Sequence, residues 1–191
     1  MSGFRVVLDT CVLVPIDQTD LLLTLAQRGI FHPLWSDAIL GELSYAILDA
    51  NPKMTPERVE RRLKIMNDAF EDALVEGWEP LENCVTGMKD PDDRHIVAAA
   101  IRGNAGAIVT ENIKDFPDAA LQPWGLHAVR LDEFLLDVLD LSPNAVFASL
   151  IEISDKRENP PVTVDQLLST LARSGAHAFA DEVRSLMEDG S

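Results

Sequence analysis

Cysteine is scarce in this chain, with only Cys11 and Cys84 among 191 residues. Two distant thiols make neither a disulfide framework nor a metal-ligand pair, so a reducing cytoplasm is the expected compartment. The four histidines are scattered, which leaves zinc without a usable ligand spacing. Long apolar runs are also missing. Segments such as Leu21–Leu23 and Ile96–Ile101 fall far short of the roughly 20 residues that span a bilayer, so no membrane association is expected. The opening MSGFRVVLDTC passes straight into a strand-like segment and lacks the apolar core and cleavage site of a leader, so none is expected. No internal repeat or low-complexity tract is present. The largest shortage is of positive charge: 16 Lys+Arg stand against 32 Asp+Glu, a net −16. That balance argues against simple electrostatic capture of RNA or DNA. It argues less against a metal-dependent nuclease, because bound cations or a basic partner would neutralise part of the excess.

What is present is the composition of a soluble globular protein, long enough for one full domain and an appendage. FRVVLD reads as a buried parallel strand ending in an acid. Thr19 or Asp20 is expected to open a helix that stops at Gly29, and HPLWS reads as a second strand. Ser36 then caps DAILGELSYAILDAN. Thr55 caps a long helix with Pro56 in its first turn and Val59, Leu63, Met66, Phe70 and Leu74 along one face. A third strand is expected near residues 82–86. A helix from Asp92 to Arg102, the strand GAIVT, a loop entering a short helix, the strand LHAVR and the helix LDEFLLDVLDL follow. Strands alternating with helices predict a three-layer α/β/α fold with a parallel sheet. From Ser142 the pattern is entirely helical, broken at PPVT and Gly175. The expected division is a domain at 1–136 and a helical extension at 137–191.

In such a sheet, ligands collect beyond the carboxyl ends of the strands, where strand order reverses. The acids sort by that rule. Asp9 ends the first strand, and Asp90, Asp92 and Asp93 precede a returning helix. Asn112 and Asp115 follow GAIVT, while Glu42 lies mid-helix among core candidates. Carboxylates gathered in one pocket raise one another's pKa unless a divalent cation neutralises them. Oxygen ligands alone favour Mg²⁺ or Mn²⁺, and such a centre suits phosphodiester hydrolysis.

LDTCVL, the Glu of ILGELSYAI, and DPDDRHIVAAAIRGNAGAIVTENIKDFP together resemble the PIN-domain ribonucleases, particularly the toxins of VapBC-type toxin–antitoxin pairs. The resemblance spans residues 4–136 and implies that Asp9, Glu42, Asp93 and Asp115 are the metal-binding catalytic acids. Asp90 is a further metal candidate; Thr10, Thr110, Asn112 and Asp92 are supporting polar residues. It also implies an RNA substrate, an inhibitory antitoxin and a homodimer. Cys11 departs from the family, which commonly has Asn there. A thiol cannot replace an amide's hydrogen bonds, so altered support for Asp9 is expected.

Plainer roles compete with these. Asp92 or Asp93 would cap a helix whatever else it did, and Asp115 would serve as a turn residue before Pro117. His95 is expected to pack or meet solvent rather than act in catalysis. Arg58, Arg61, Arg62 and Lys64 could touch phosphates, but acids share their helix and a solvated face is expected. Trp35, Trp78 and Trp124 are assigned to packing rather than base stacking. Two rival functions stay open: a non-catalytic scaffold of the same fold, and a Mg²⁺ phosphatase using Asp9. The second lacks the acid it would need at position 11.

Overall fold

A computed structural model describes residues 4–189. Its sheet has four parallel strands: β1 (Arg5–Leu8), β2 (His32–Leu34), β3 (Ala107–Val109) and β4 (His127–Val129). The order is β2-β1-β3-β4. Val6, Val7 and Leu8 of β1 and all of β3 are buried, as central parallel strands covered on both faces must be. The chain steps from β1 to one neighbour and later to the other. Strand order therefore reverses between β1 and β3, and a crevice opens at their carboxyl ends. The fold is of the expected three-layer α/β/α class.

Eleven α-helical segments accompany the sheet among the described residues: α1 (Thr10–Leu13), α2 (Ile16–Gln27), α3 (Asp37–Ala50), α4 (Pro56–Ala69), α5 (Glu79–Glu82), α6 (Arg94–Arg102), α7 (Asp118–Leu121), α8 (Leu131–Leu141), α9 (Pro143–Asp155), α10 (Val164–Arg173) and α11 (His177–Asp189). They divide between two compact units. The first runs to Val14 and resumes at Phe31–Val129; the second joins Pro15–Ile30 to the residues from Arg130 onward. The expected division at 136/137 thus differs from the observed one in two places. The boundary lies a few residues earlier, and α2 sits with the C-terminal helices.

In the first unit, α6 packs on β1 and β3, and α3 packs between α1 and α4. Ser36 caps α3 as predicted, its Oγ accepting from the Ile39 N–H at 3.2 Å. Gly103 ends α6 where a side chain has no room: an added Cβ would stand 2.7 Å from Leu34 Cδ1. Two expectations fail here. α4 stops at Ala69, so Leu74 is not on its face. Instead the Trp35 backbone draws residues 73–75 alongside β2, donating to the Ala73 carbonyl at 3.0 Å and accepting from the Val75 N–H at 2.8 Å. The strand expected at 82–86 is also absent: α5 runs to Glu82, and the N–H groups of Cys84 and Val85 turn back to the Leu81 and Glu82 carbonyls at 2.9 and 3.2 Å.

In the second unit, α2 packs on α9 and α10. It begins at Ile16 after Pro15, earlier than Thr19 or Asp20, and the Thr19 hydroxyl donates back to the Pro15 carbonyl at 3.1 Å instead of capping. Arg157 pairs with Asp17 at 2.5 Å and Asp20 at 2.7 Å, and Gln18 donates to the Ser174 carbonyl at 2.6 Å. Asp132 caps α11 through the N–H groups of Ala178 and Phe179, and Thr163 with Gln166 forms a capping box on α10. Among the described residues, no single helix is long and apolar enough to cross a membrane. Together α8 and α9 reach that length and composition, but they bend by 115°.

The basic cluster on α4 is partly consumed by the fold. Arg62 donates to the carbonyls of Leu13 at 2.6 Å and Val14 at 3.3 Å, closing the carboxyl end of α1, while Lys64 pairs with Asp68. Cationic donors on helix C-terminal carbonyls are stabilising. Arg62→Ala is accordingly expected to lower unfolding stability by about 1.5–3 kcal/mol, measured by urea denaturation. Arg58→Ala, on an exposed side chain, should change it by less than about 0.5 kcal/mol.

Candidate active site

Asp9 and Thr110 follow the last paired residues of β1 and β3, Leu8 and Val109, at the switch point of the sheet. Both are buried, with Asp9 5% exposed. The Thr110 hydroxyl donates to Asp9 Oδ2 at 2.6 Å and accepts the Asn112 N–H at 3.0 Å. Asn112 itself is exposed and contributes its backbone rather than its amide.

Cys11 stands beside the same oxygen and supports it with a thiol where the family commonly has an amide. Its thiol donates to Asp9 Oδ2 at 3.1 Å, and its sulfur accepts the Glu111 N–H at 3.3 Å. Burial, and then the Asp9 charge, push the thiol up to about 12, so it keeps the proton it donates. Cys11 thus supports Asp9 through a weak but properly directed bond.

The three aspartates of DPDD divide their tasks. Asp90 caps the 3-10 turn Pro91–Asp93, its Oδ1 accepting the Asp92 N–H at 2.9 Å. Asp92 is exposed. Asp93 occupies the cap position of α6 yet makes no capping bond, which leaves its carboxylate uncommitted. That carboxyl is raised to about 6, first by burial and then by the charges of Asp9, Asp90 and Asp115, with His95 acting the other way. The four aspartates therefore share one electrostatic neighbourhood. Asp115, on the turn Ile113–Asp115, has Lys89 Nζ at 3.9 Å as a distant counter-charge.

Glu42 projects from α3 and is held at both oxygens. Oε2 accepts from the Thr10 hydroxyl at 3.2 Å, and Oε1 meets His95 Nε2 at 2.9 Å. His95 is buried, 7% exposed, and touches a candidate acid instead of merely packing or facing solvent. A histidine inside the apolar run HIVAAAI was the available signal, since a buried ring nitrogen needs a partner. Of the tryptophans, Trp35 and Trp78 are buried and Trp124 is partly exposed.

The donors are carboxylates with hydroxyl support, of the kind that suits a hard dication. Negative charge gathers here, since Asp9, Asp90 and Asp115 add to burial in raising the Asp93 carboxyl. Among the described residues, no three His, Cys, Asp or Glu side chains already stand in a ligating arrangement. The donor chemistry fits such an ion, and the closed ligand set is not preformed.

Comparison with known proteins places these features. A family profile described as PIN domain matches residues 5–114, and one described as VapC50 C-terminal domain matches residues 131–185. A protein of Mycobacterium tuberculosis (strain ATCC 25618 / H37Rv), named "Putative ribonuclease VapC50", is 43% identical over 99 residues, which cover 52% of this chain and 58% of that protein. The chain thus matches little more than half the length of that curated relative. No solved structure matches it.

Proposed function

The chain belongs to the PIN-domain family, and from that premise we propose that it is an endoribonuclease that hydrolyses RNA phosphodiester bonds, the toxin of a toxin–antitoxin pair. The observation that carries this reading is Asp9, buried and held by Thr110 at the switch point of the sheet, in one electrostatic neighbourhood with Asp90, Asp93 and Asp115. Asp9, Glu42, Asp93 and Asp115 would hold Mg²⁺ or Mn²⁺, with Asp90 at the edge of the set. When bound, the cation supplies Lewis acidity toward the scissile phosphate and lowers the pKa of water.

The chain's own residues do the orienting. Thr110 and Cys11 both donate to Asp9 Oδ2, fixing that carboxylate and leaving Oδ1 without a protein hydrogen bond among the described residues. Thr10 orients Glu42 from α1. Asp90 spends one oxygen on the turn that presents Asp93. No protein nucleophile is needed. A phosphatase built on Asp9 is disfavoured, because the position two residues on holds Cys11, whose proton is committed to Asp9.

An RNA substrate, a cognate antitoxin, a homodimer and a cytoplasmic location complete the proposal. A net charge of −16 favours an antitoxin that is basic at its contact face. The test is incubation of the purified chain with total cellular RNA, with Mn²⁺ or with EDTA. Discrete fragments in the Mn²⁺ lane alone are expected; identical lanes in a protein shown to bind Mn²⁺ would favour a scaffold.

A further inference from the structure

We infer that His95 is a positioning residue that holds the Glu42 carboxylate toward the acid cluster, an inference that rests on the metal-binding reading above. Glu42 has a long side chain that is 50% exposed, so left alone it would sample many rotamers in water. His95 is the opposite, a buried planar ring on a regular helix. Its Nε2 lies 2.9 Å from Glu42 Oε1, and its Nδ1 is buried with no hydrogen-bond partner among the described residues. A carboxylate only accepts, so Nε2 carries a proton and donates it to Glu42. The ring is therefore fixed as a donor aimed at one oxygen.

The ring is braced from behind. Trp78 lies against it, with centroids 6.0 Å apart and planes at 59°. Trp78 is in turn tied by its Nε1–H to Asp37 Oδ1 at 3.0 Å. Asp37 opens α3, the helix that carries Glu42. The path from α3 through Trp78 and His95 thus returns to α3 five residues further on. His95 also stands two residues after Asp93, so the start of α6 presents one acid directly at its cap position and sets a second through its first turn. A partner of this kind orients a ligand without touching the ion, and its loss typically weakens metal binding by about 10–100-fold.

The experiment is Mn²⁺ titration of the full-length protein, reading free Mn²⁺ by electron paramagnetic resonance. It compares wild type, His95→Gln, His95→Asn, Glu42→Gln and the double variant Glu42→Gln/His95→Asn. A Gln amide nitrogen can reach the place of Nε2; an Asn amide is too short. His95→Asn should bind Mn²⁺ about 10-fold or more weakly and His95→Gln close to wild type, while in the Glu42→Gln background His95→Asn should add no further loss. Circular dichroism checks that each variant is folded. If wild type binds Mn²⁺ and His95→Asn binds it equally well, or costs as much without Glu42 as with it, the positioning role is overturned alone. If wild type binds no Mn²⁺, the metal reading falls, and this inference with it.

Discussion

Replacing Asp9 by Asn is expected to reduce Mn²⁺-dependent RNA cleavage at least about a hundredfold, since outer-shell partners alone cost up to that much. The substitution is nearly isosteric at a buried position, so its effect falls on charge and donor pattern. In wild type, Asp9 Oδ2 receives the Thr110 hydroxyl and the Cys11 thiol. An amide presents one acceptor and one donor group, and turning its NH₂ toward Thr110 and Cys11 would oppose donor to donor. The amide oxygen must therefore face them, leaving an NH₂ where the remaining carboxylate oxygen stood. That group repels a cation instead of attracting it. Cleavage of total RNA in parallel reactions is the measurement, and activity within tenfold of wild type would remove Asp9 from the centre of the mechanism.

Asp93→Asn should separate stability from function. The folded Asp93 carboxyl is raised from 3.8 to about 6. Its contribution to stability is fully present below the unfolded value and is lost as pH rises from about 4 through about 6, because the folded chain holds that proton more tightly. At pH 7 and without metal, the ionised group opposes folding. Asn removes the charge, so in EDTA the variant should melt above wild type. With Mn²⁺ the order should reverse. An ion present at a hundred times its Kd adds about 2.7 kcal/mol to wild type, roughly 5–10 °C in a chain of this size, and adds little to the variant. Wild-type Mn²⁺ affinity should also weaken below pH 6, where proton and ion compete for Asp93. Thermal denaturation at pH 5 and pH 7, with and without metal, measures all three. A variant that melts below wild type in EDTA at pH 7 would contradict the charge argument.

The parts of this fold that were legible in the sequence are those whose signal is local. FRVVLD, HPLWS, GAIVT and LHAVR are short apolar runs, and each contains a strand; Ser36 and Gly103 bound helices by their own chemistry. The failures involve partners distant in sequence. Residues 73–75 lie beside β2 because the Trp35 backbone draws them there, which no periodicity within the segment records. α1 is a four-residue helix, too short to show a period. Asp9 and Asp115 were legible from their places after strands and Asp93 from its place before α6, whereas the division of labour within DPDD depends on which carboxylate turns back to its own backbone. The Cys11 and His95 contacts were hidden for the same reason. A missing amide suggested altered support, and only the approach of Glu111 and Glu42 shows what the thiol and imidazole do.

The place of α2 bears on how this chain can be cut. It is encoded between β1 and β2, yet it packs with helices encoded more than a hundred residues later. Trimming the chain after Val129 would thus not yield a self-sufficient PIN-domain half. It would strand a helix whose Leu21, Leu22 and Leu25 have no solvent exposure in the intact protein, leaving an adhesive segment looped out of the sheet's first crossover. A clean excision needs two edits: removal of the C-terminal helices and replacement of residues 15–30 by a polar linker. Any insertion or deletion that changes α2 acts on the helical unit first, although in sequence it follows closely on β1, Asp9 and α1.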